Sequence, residues 1–231
     1  MNKKKVLLSV LALILVCAMT IVGTVAYMKN STGAVTNTFI AAGGGKLADG
    51  MTLTEHLVAA DANGDYFYVD KTDATQEAAT DADKVVVQKN SYTVMPGMTL
   101  PKDPTITITG KTAAPAYLIL EVINELPAAY NVPLESAWKA IMNGENHATG
   151  NHGGKLYVYN DAVNTETGDR TYGIIDNNEI TVSNDENVDL NIESKKLEFY
   201  AYLAQANAGG EGTPLSAYNA CFPTTAPAPN P

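Results

Sequence analysis

Short runs in which apolar and polar residues alternate fill most of the chain beyond its first 40 positions. Thr105-Ile106-Thr107-Ile108-Thr109 is the cleanest of them. Its isoleucines share one side and its threonines the other, the period-two pattern of a half-buried strand. Residues 34–40, 51–59, 65–70, 85–88, 92–95, 156–160, 179–183, 188–194 and 197–205 read as further strands. They are rich in Val, Ile, Thr and Tyr and are bounded by turn residues. Asp61-Ala62-Asn63-Gly64 predicts a hairpin turn between two of these runs, because Asn-Gly tolerates positive φ. Pro96-Gly97 predicts another turn.

Two segments break the alternation. Residues 116–124 carry Tyr117-Leu118-Ile119-Leu120, apolar on successive positions, which predicts a central strand buried on both faces. Leu134, Ala137, Trp138 and Ile141 fall at i, i+3, i+4 and i+7 behind Pro133. That spacing predicts a short helix with one apolar stripe, in which Trp138 is a core anchor rather than a ligand platform. Residues 144–154 read as a Gly/Asn/His loop, and the chain becomes Gly- and Pro-rich from Ala208. Many short strands, turn signals between them and one short helix predict an all-β, jelly-roll-like antiparallel β-sandwich with long loops. The expected organisation is a leader over 1–26, an N-terminal strand segment over 27–45, the sandwich over 46–207 and a tail over 208–231.

The N-terminus is of a different kind. Lys3-Lys4-Lys5 precedes an apolar run from Val6 to Val22 that only Ser9 and Thr20 interrupt. Small residues follow, with Thr24 and Ala26 at −3 and −1 of an expected cut before Tyr27. A basic start, an apolar stretch and a small-residue site describe an export signal. The run of 17 residues exceeds the usual signal core of about 7–15 and falls short of a span of about 20. An uncleaved membrane anchor is therefore the alternative. Cys17 follows Ile14-Leu15-Val16, not the small residue that lipid attachment needs. The expected location is secreted or at the cell surface, with a signal peptidase as one partner and membrane contact only through an uncleaved signal.

Charge narrows the classes further. Removing the 26 leader residues from 231 leaves 205, and the three leader lysines go with them. The balance becomes 12 basic against 25 acidic side chains, a net charge of −13. Such a surface repels nucleic acid and anionic membrane. Cys221 is then the only cysteine, so the mature chain has no intramolecular disulfide. Neither a second apolar span nor an LPxTG-type sorting signal is present.

Four segments resemble the TasA/camelysin-type proteins, which bacteria export with a signal cut by the SipW class of peptidase. The first is Gly23-Thr24-Val25-Ala26-Tyr27 with Val35-Thr36-Asn37-Thr38-Phe39 beyond it. The second is Met95-Pro96-Gly97 with Lys102-Asp103-Pro104-Thr105-Ile106-Thr107-Ile108. Ala116-Tyr117-Leu118-Ile119-Leu120-Glu121-Val122 is the third, and Tyr200-Ala201-Tyr202-Leu203-Ala204-Gln205-Ala206 the fourth. Members often carry Phe or Phe-Thr after the cut, where this chain has Tyr27-Met28, and residues 125–195 match nothing in the family. The resemblance implies a jelly roll that assembles into extracellular fibres, an N-terminal strand of one subunit completing the sheet of the next. Residues 27–40 suit that role: Val35 and Phe39 share one face, while Thr36, Thr38 and Ile40 share the other, with Asn37 between them. An ordinary first strand of the same subunit is the rival expectation.

Camelysin-like proteins have also carried a metallo-endopeptidase label. The three histidines, His56, His147 and His152, do not form HExxH, which would place two ligands and a base on one helical face. No Gly-x-Ser-x-Gly elbow is present, and Gly43-Gly44-Gly45 lacks the strand-then-helix context of a phosphate cradle. Asp61-x-Asn63-x-Asp65 starts like a calcium loop, but Tyr66 and Thr72 stand where an EF-hand needs Gly and Glu. No catalytic residue, cofactor or metal is expected, with Asp61, Asn63 and Asp65 the weak calcium candidates. The expected function is structural, a matrix or fibre subunit. A glycan- or protein-binding module is the alternative, using a sandwich end or the aromatic strands Tyr66-Phe67-Tyr68 and Tyr157-Val158-Tyr159, and a peptidase ranks last.

Overall fold

A computed structural model describes residues 47–87, 90, 92–160, 162–163, 168–185 and 195–223, together with two backbone strands at 29–32 and 37–38. The strands are β1 (Lys29–Thr32), β2 (Asn37–Thr38), β3 (Gly50–His56), β4 (Val58–Ala60), β5 (Tyr66–Tyr68), β6 (Val86–Val87), β7 (Thr99–Pro101), β8 (Thr105–Thr109) and β9 (Ala116–Asn124). There follow β10 (Tyr130–Asn131), β11 (Trp138–Ala140), β12 (Met142–Asn143), β13 (Asn146–His147), β14 (Lys155–Tyr159), β15 (Arg170–Gly173), β16 (Glu179–Val182) and β17 (Leu197–Gln205). One α-helix, α1 (Pro214–Cys221), closes the described chain.

The fold is an all-β antiparallel sandwich with long loops. A six-stranded sheet in the order β11-β14-β9-β17-β1-β2 forms one layer. A four-stranded sheet, β15-β8-β3-β6, and a three-stranded sheet, β10-β16-β7, form the other. The core between the layers follows from strand alternation. Leu118, Leu120 and Val122 of β9 and Phe199, Ala201 and Leu203 of β17 face Met51, Ile106, Ile108, Leu100, Ile180 and Val182.

β9 and β17, which pair along all nine residues, are also apolar on the opposite face. There Ile119, Leu156, Val158, Tyr202 and Ala204 pack against Ala217, Tyr218, Cys221 and Phe222 of the C-terminal segment. The doubly buried strand expected at 116–124 is therefore real, and a helix provides its second cover.

That helix is not where the spacing of Leu134, Ala137, Trp138 and Ile141 places one. Those residues make a turn, with Trp138 N–H donating to Glu135 O, and then β11, which pairs with β14. Trp138 is a core anchor all the same. It is 6% exposed, donates from Nε1 to Gly173 O at 2.8 Å and meets the Tyr159 ring edge-on at 5.2 Å. Four apolar positions fit either element, and pairing with the long β14 decides the outcome.

Residues 208–231, expected to form a tail, contain α1. Thr213 caps it: its side chain accepts from Ser216 N–H, Ser216 answers on the Thr213 backbone, and Pro214 opens the first turn. Cys221 is accordingly buried. The 61–64 hairpin stands as expected, joining β4 to β5 with Gly64 at φ +92°. Residues 92–95 join no sheet, and the strand expected at 188–194 lies outside the described residues.

Candidate functional site

The six-stranded sheet places an N-terminal strand beside β17, one of its two nine-residue members. β9 covers one side of β17 from end to end, Leu197 against Asn124 through Gln205 against Ala116. On the other side β1 pairs only with Ala201–Ala204, from Lys29 against Ala204 to Thr32 against Ala201. β2 then caps β1 through Ser31–Thr38 and Thr32–Asn37. Among the described residues, Leu197–Tyr200 have no strand partner on this side. Backbone pairing is nearly indifferent to side-chain identity, so any extended segment presented in register fits the same edge.

Of the expected assembly strand, Asn37 and Thr38 form the two-residue β2. Val35, Thr36, Phe39 and Ile40 lie outside the described residues, as do Thr24, Ala26 and Tyr27 of the expected cut. The strand that docks on β17 is Lys29–Thr32, which the sequence reading included only as part of 27–40.

On the helix-covered face, β9 carries a carboxylate that the sequence reading passed over. Glu121 is 0% exposed. Its Oε1 accepts from the backbone N–H of His152 (2.8 Å) and of Gly154 (2.9 Å), and its Oε2 accepts from Tyr202 OH at 2.7 Å. His152 Nδ1 lies 3.1 Å from Oε2, and the imidazole stacks flat on Tyr200 at 3.8 Å. The loop approaches so closely that a Cβ at Gly150 would lie 2.3 Å from the carboxyl carbon, and one at Gly154 2.7 Å from Val122 O. Tyr218 of α1 completes the network by accepting from Asn151 N–H at 2.9 Å.

Burial, then the adjoining Glu121, drives the Tyr202 hydroxyl far above the usual phenol range; burial pushes Tyr218 up to about 12. An unfolded tyrosine ionises near 10. Above that pH the unfolded state loses protons that the folded state keeps, so stability present at lower pH falls as pH rises. The slope is small at pH 9 and, for each of these two tyrosines, approaches about −1.4 kcal/mol per pH unit only above pH 10. Urea unfolding at pH 9, 10 and 11 measures it, and a flat profile contradicts this burial.

A second polar cluster lies near the end of β3. His56 Nδ1 is 2.6 Å from Asp103 Oδ2, and Asp103 Oδ1 accepts from His56 N–H at 2.9 Å. Beside them Lys102 is ion-paired to Glu55, a residue 5% exposed whose Oε1 has no hydrogen-bond partner. Lys102-Asp103 is visible in the sequence ahead of Pro104, but nothing there tells which carboxylate or imidazole it meets.

The remaining candidates are separated from these clusters. Asp61 Oδ1 accepts from the N–H groups of Asn63 (2.8 Å) and Asp65 (2.9 Å), which engages it in the hairpin turn and holds its carboxyl below the usual range. His147 Nε2 lies 2.7 Å from Leu156 O. Among the described residues no three His, Cys, Asp or Glu side chains converge as a metal site. Tyr157 and Tyr159 pack edge-on against His147 and Trp138. No helix among the described residues is long and apolar enough to cross a membrane.

No family model, curated protein or solved structure matches this chain.

Proposed function

We propose that the chain is a secreted structural protein, a subunit of an extracellular matrix or surface fibre of the TasA/camelysin-like kind, assembled by strand exchange. One observation carries this reading. β1 begins two residues beyond the expected cut at Tyr27 and is held to β17 by four residue pairs along an edge nine residues long. A short strand at a chain end is the element most readily exchanged between identical subunits, because the edge it leaves accepts the same segment from a neighbour. The leader, where present, ties that end to the membrane, so its removal would release the strand for exchange. The acidic surface and the absence of a disulfide in the mature chain are compatible with an extracellular scaffold whose stability comes from packing and from neighbours.

Electron microscopy of the purified mature protein, compared with a form lacking residues 27–40, tests this. Filaments from the first and none from the second are expected. A mature protein that stays monomeric at every concentration contradicts the proposal.

A further inference from the structure

Glu55 is the one described carboxylate with a buried oxygen that lacks a partner. Such an atom calls for an explanation, because an unpaired buried carboxylate oxygen is costly. Its other oxygen touches Lys102 Nζ, and the Lys102 side chain is itself 11% exposed. Lys102 and Asn90 line one cavity of about 240 Å³, walled by Tyr92, Leu100, Ile180 and Leu197. The Asn90 carboxamide is fixed at both ends. Nδ2 donates to His56 O at 2.7 Å, and Oδ1 accepts from Val58 N–H at 3.0 Å. Glu55 is the chain neighbour of the His56 carbonyl that holds this amide. An amine and a carboxamide thus line one cavity at the end of β3, and the amine is held by a buried carboxylate with a free oxygen.

The geometry points to an intramolecular isopeptide bond between Lys102 Nζ and Asn90 Cγ, with Glu55 as the proton shuttle. The chemistry balances without an oxidant or a cofactor. The Lys102 ammonium gives a proton to Glu55, and the free amine attacks Asn90 Cγ. Val58 N–H stabilises the negative charge that develops on Oδ1. A proton from the attacking nitrogen passes through Glu55 to Nδ2, the Cγ–Nδ2 bond breaks, and ammonia leaves carrying the remaining proton as ammonium. Glu55 ends as it began. Fixing the reactants within one cavity replaces an encounter in solution, the kind of advantage that accelerates an otherwise slow amide exchange. The product ties Asn90, three residues beyond β6, to Lys102, the residue after β7, a covalent link independent of cysteine.

Intact-mass spectrometry of the purified full-length chain and of its E55Q variant, followed by proteolysis and fragment sequencing, tests this. The expected wild-type mass is lower than that of the unlinked chain by one ammonia, with a branched peptide joining Asn90 to Lys102. E55Q is expected to keep the unlinked mass. A wild-type chain at the unlinked mass means an ordinary ion pair and overturns the proposal. So does an ammonia loss traced to succinimide at Asn63-Gly64 or Asn143-Gly144 with no branched peptide. A branched peptide that still forms in E55Q removes Glu55 from the reaction and overturns the mechanism. The wild-type measurement stands even if E55Q fails to fold.

Discussion

Replacing Glu121 with Ala is expected to cost about 3–5 kcal/mol of stability, the range for removing one partner of a buried charged network. The carboxylate accepts three hydrogen bonds, from the N–H groups of His152 and Gly154 and from Tyr202 OH. Truncation strands the buried donors Gly154 N–H and Tyr202 OH, releases His152 N–H at the exposed rim, and opens a void beside Tyr202. A domain of this size has only about 5–15 kcal/mol of net stability, so the loss is a large part of the whole. The melting temperature should fall by roughly 10 °C. Glu121→Gln keeps the volume and the acceptor facing His152 and Gly154, but turns an NH2 toward Tyr202 OH and His152 Nδ1. It should cost about half as much and speed hydrogen exchange at the His152 and Gly154 amides. Urea unfolding of both variants measures the difference. A loss under about 1 kcal/mol for E121A would mean that the 150–154 loop is not anchored by this carboxylate.

Glu121 also shows where the sequence stops being informative. Alternation alone identifies Thr105–Thr109, and a continuous apolar run identifies Ala116–Asn124, because strand periodicity is a local property of the backbone. A glutamate inside such a run is a visible anomaly. Its partners are 31, 33 and 81 residues away, and no local rule brings a Gly-rich loop back over a strand. The cluster of Glu55, His56, Lys102 and Asp103 is the same case, since it forms only when β3 meets the β7–β8 connection. The misplaced helix has another cause. Residues 134–141 have a helical stripe but no capping signal beyond Pro133, and β14 offers them a ladder of backbone hydrogen bonds. The real helix has the signal, Thr213-Pro214 with Ser216 three residues after the cap, but its surrounding glycines and prolines read as a tail. Capping chemistry was the better guide there, and periodicity the worse one.

Truncation after Gly212, which removes α1, is expected to abolish folding. The helix segment buries Ala217, Tyr218, Cys221 and Phe222, and it covers Ile119, Leu156, Val158, Tyr202 and Ala204 on the outer face of the six-stranded sheet. Tyr218, Phe222 and the four larger side chains beneath them are each worth about 1.5–3 kcal/mol of burial. The sum is on the order of 10 kcal/mol, an upper figure because the unfolded chain is partly collapsed. That matches or exceeds the whole net stability of an ordinary domain. The truncated chain would expose a broad apolar sheet face and should be recovered as aggregate. Circular dichroism and size-exclusion chromatography of the soluble fraction measure this outcome. Tyr218→Phe separates packing from hydrogen bonding. It keeps the ring against Tyr202 and Phe222 and loses only the hydroxyl that accepts from Asn151 N–H, at an expected cost of about 1 kcal/mol. A truncated chain that stays soluble, with a cooperative melt near that of the intact protein, would show that the sheet face does not depend on α1. A collapse on truncation beside a mild Y218F makes α1 part of the core, held by apolar burial more than by any single polar contact.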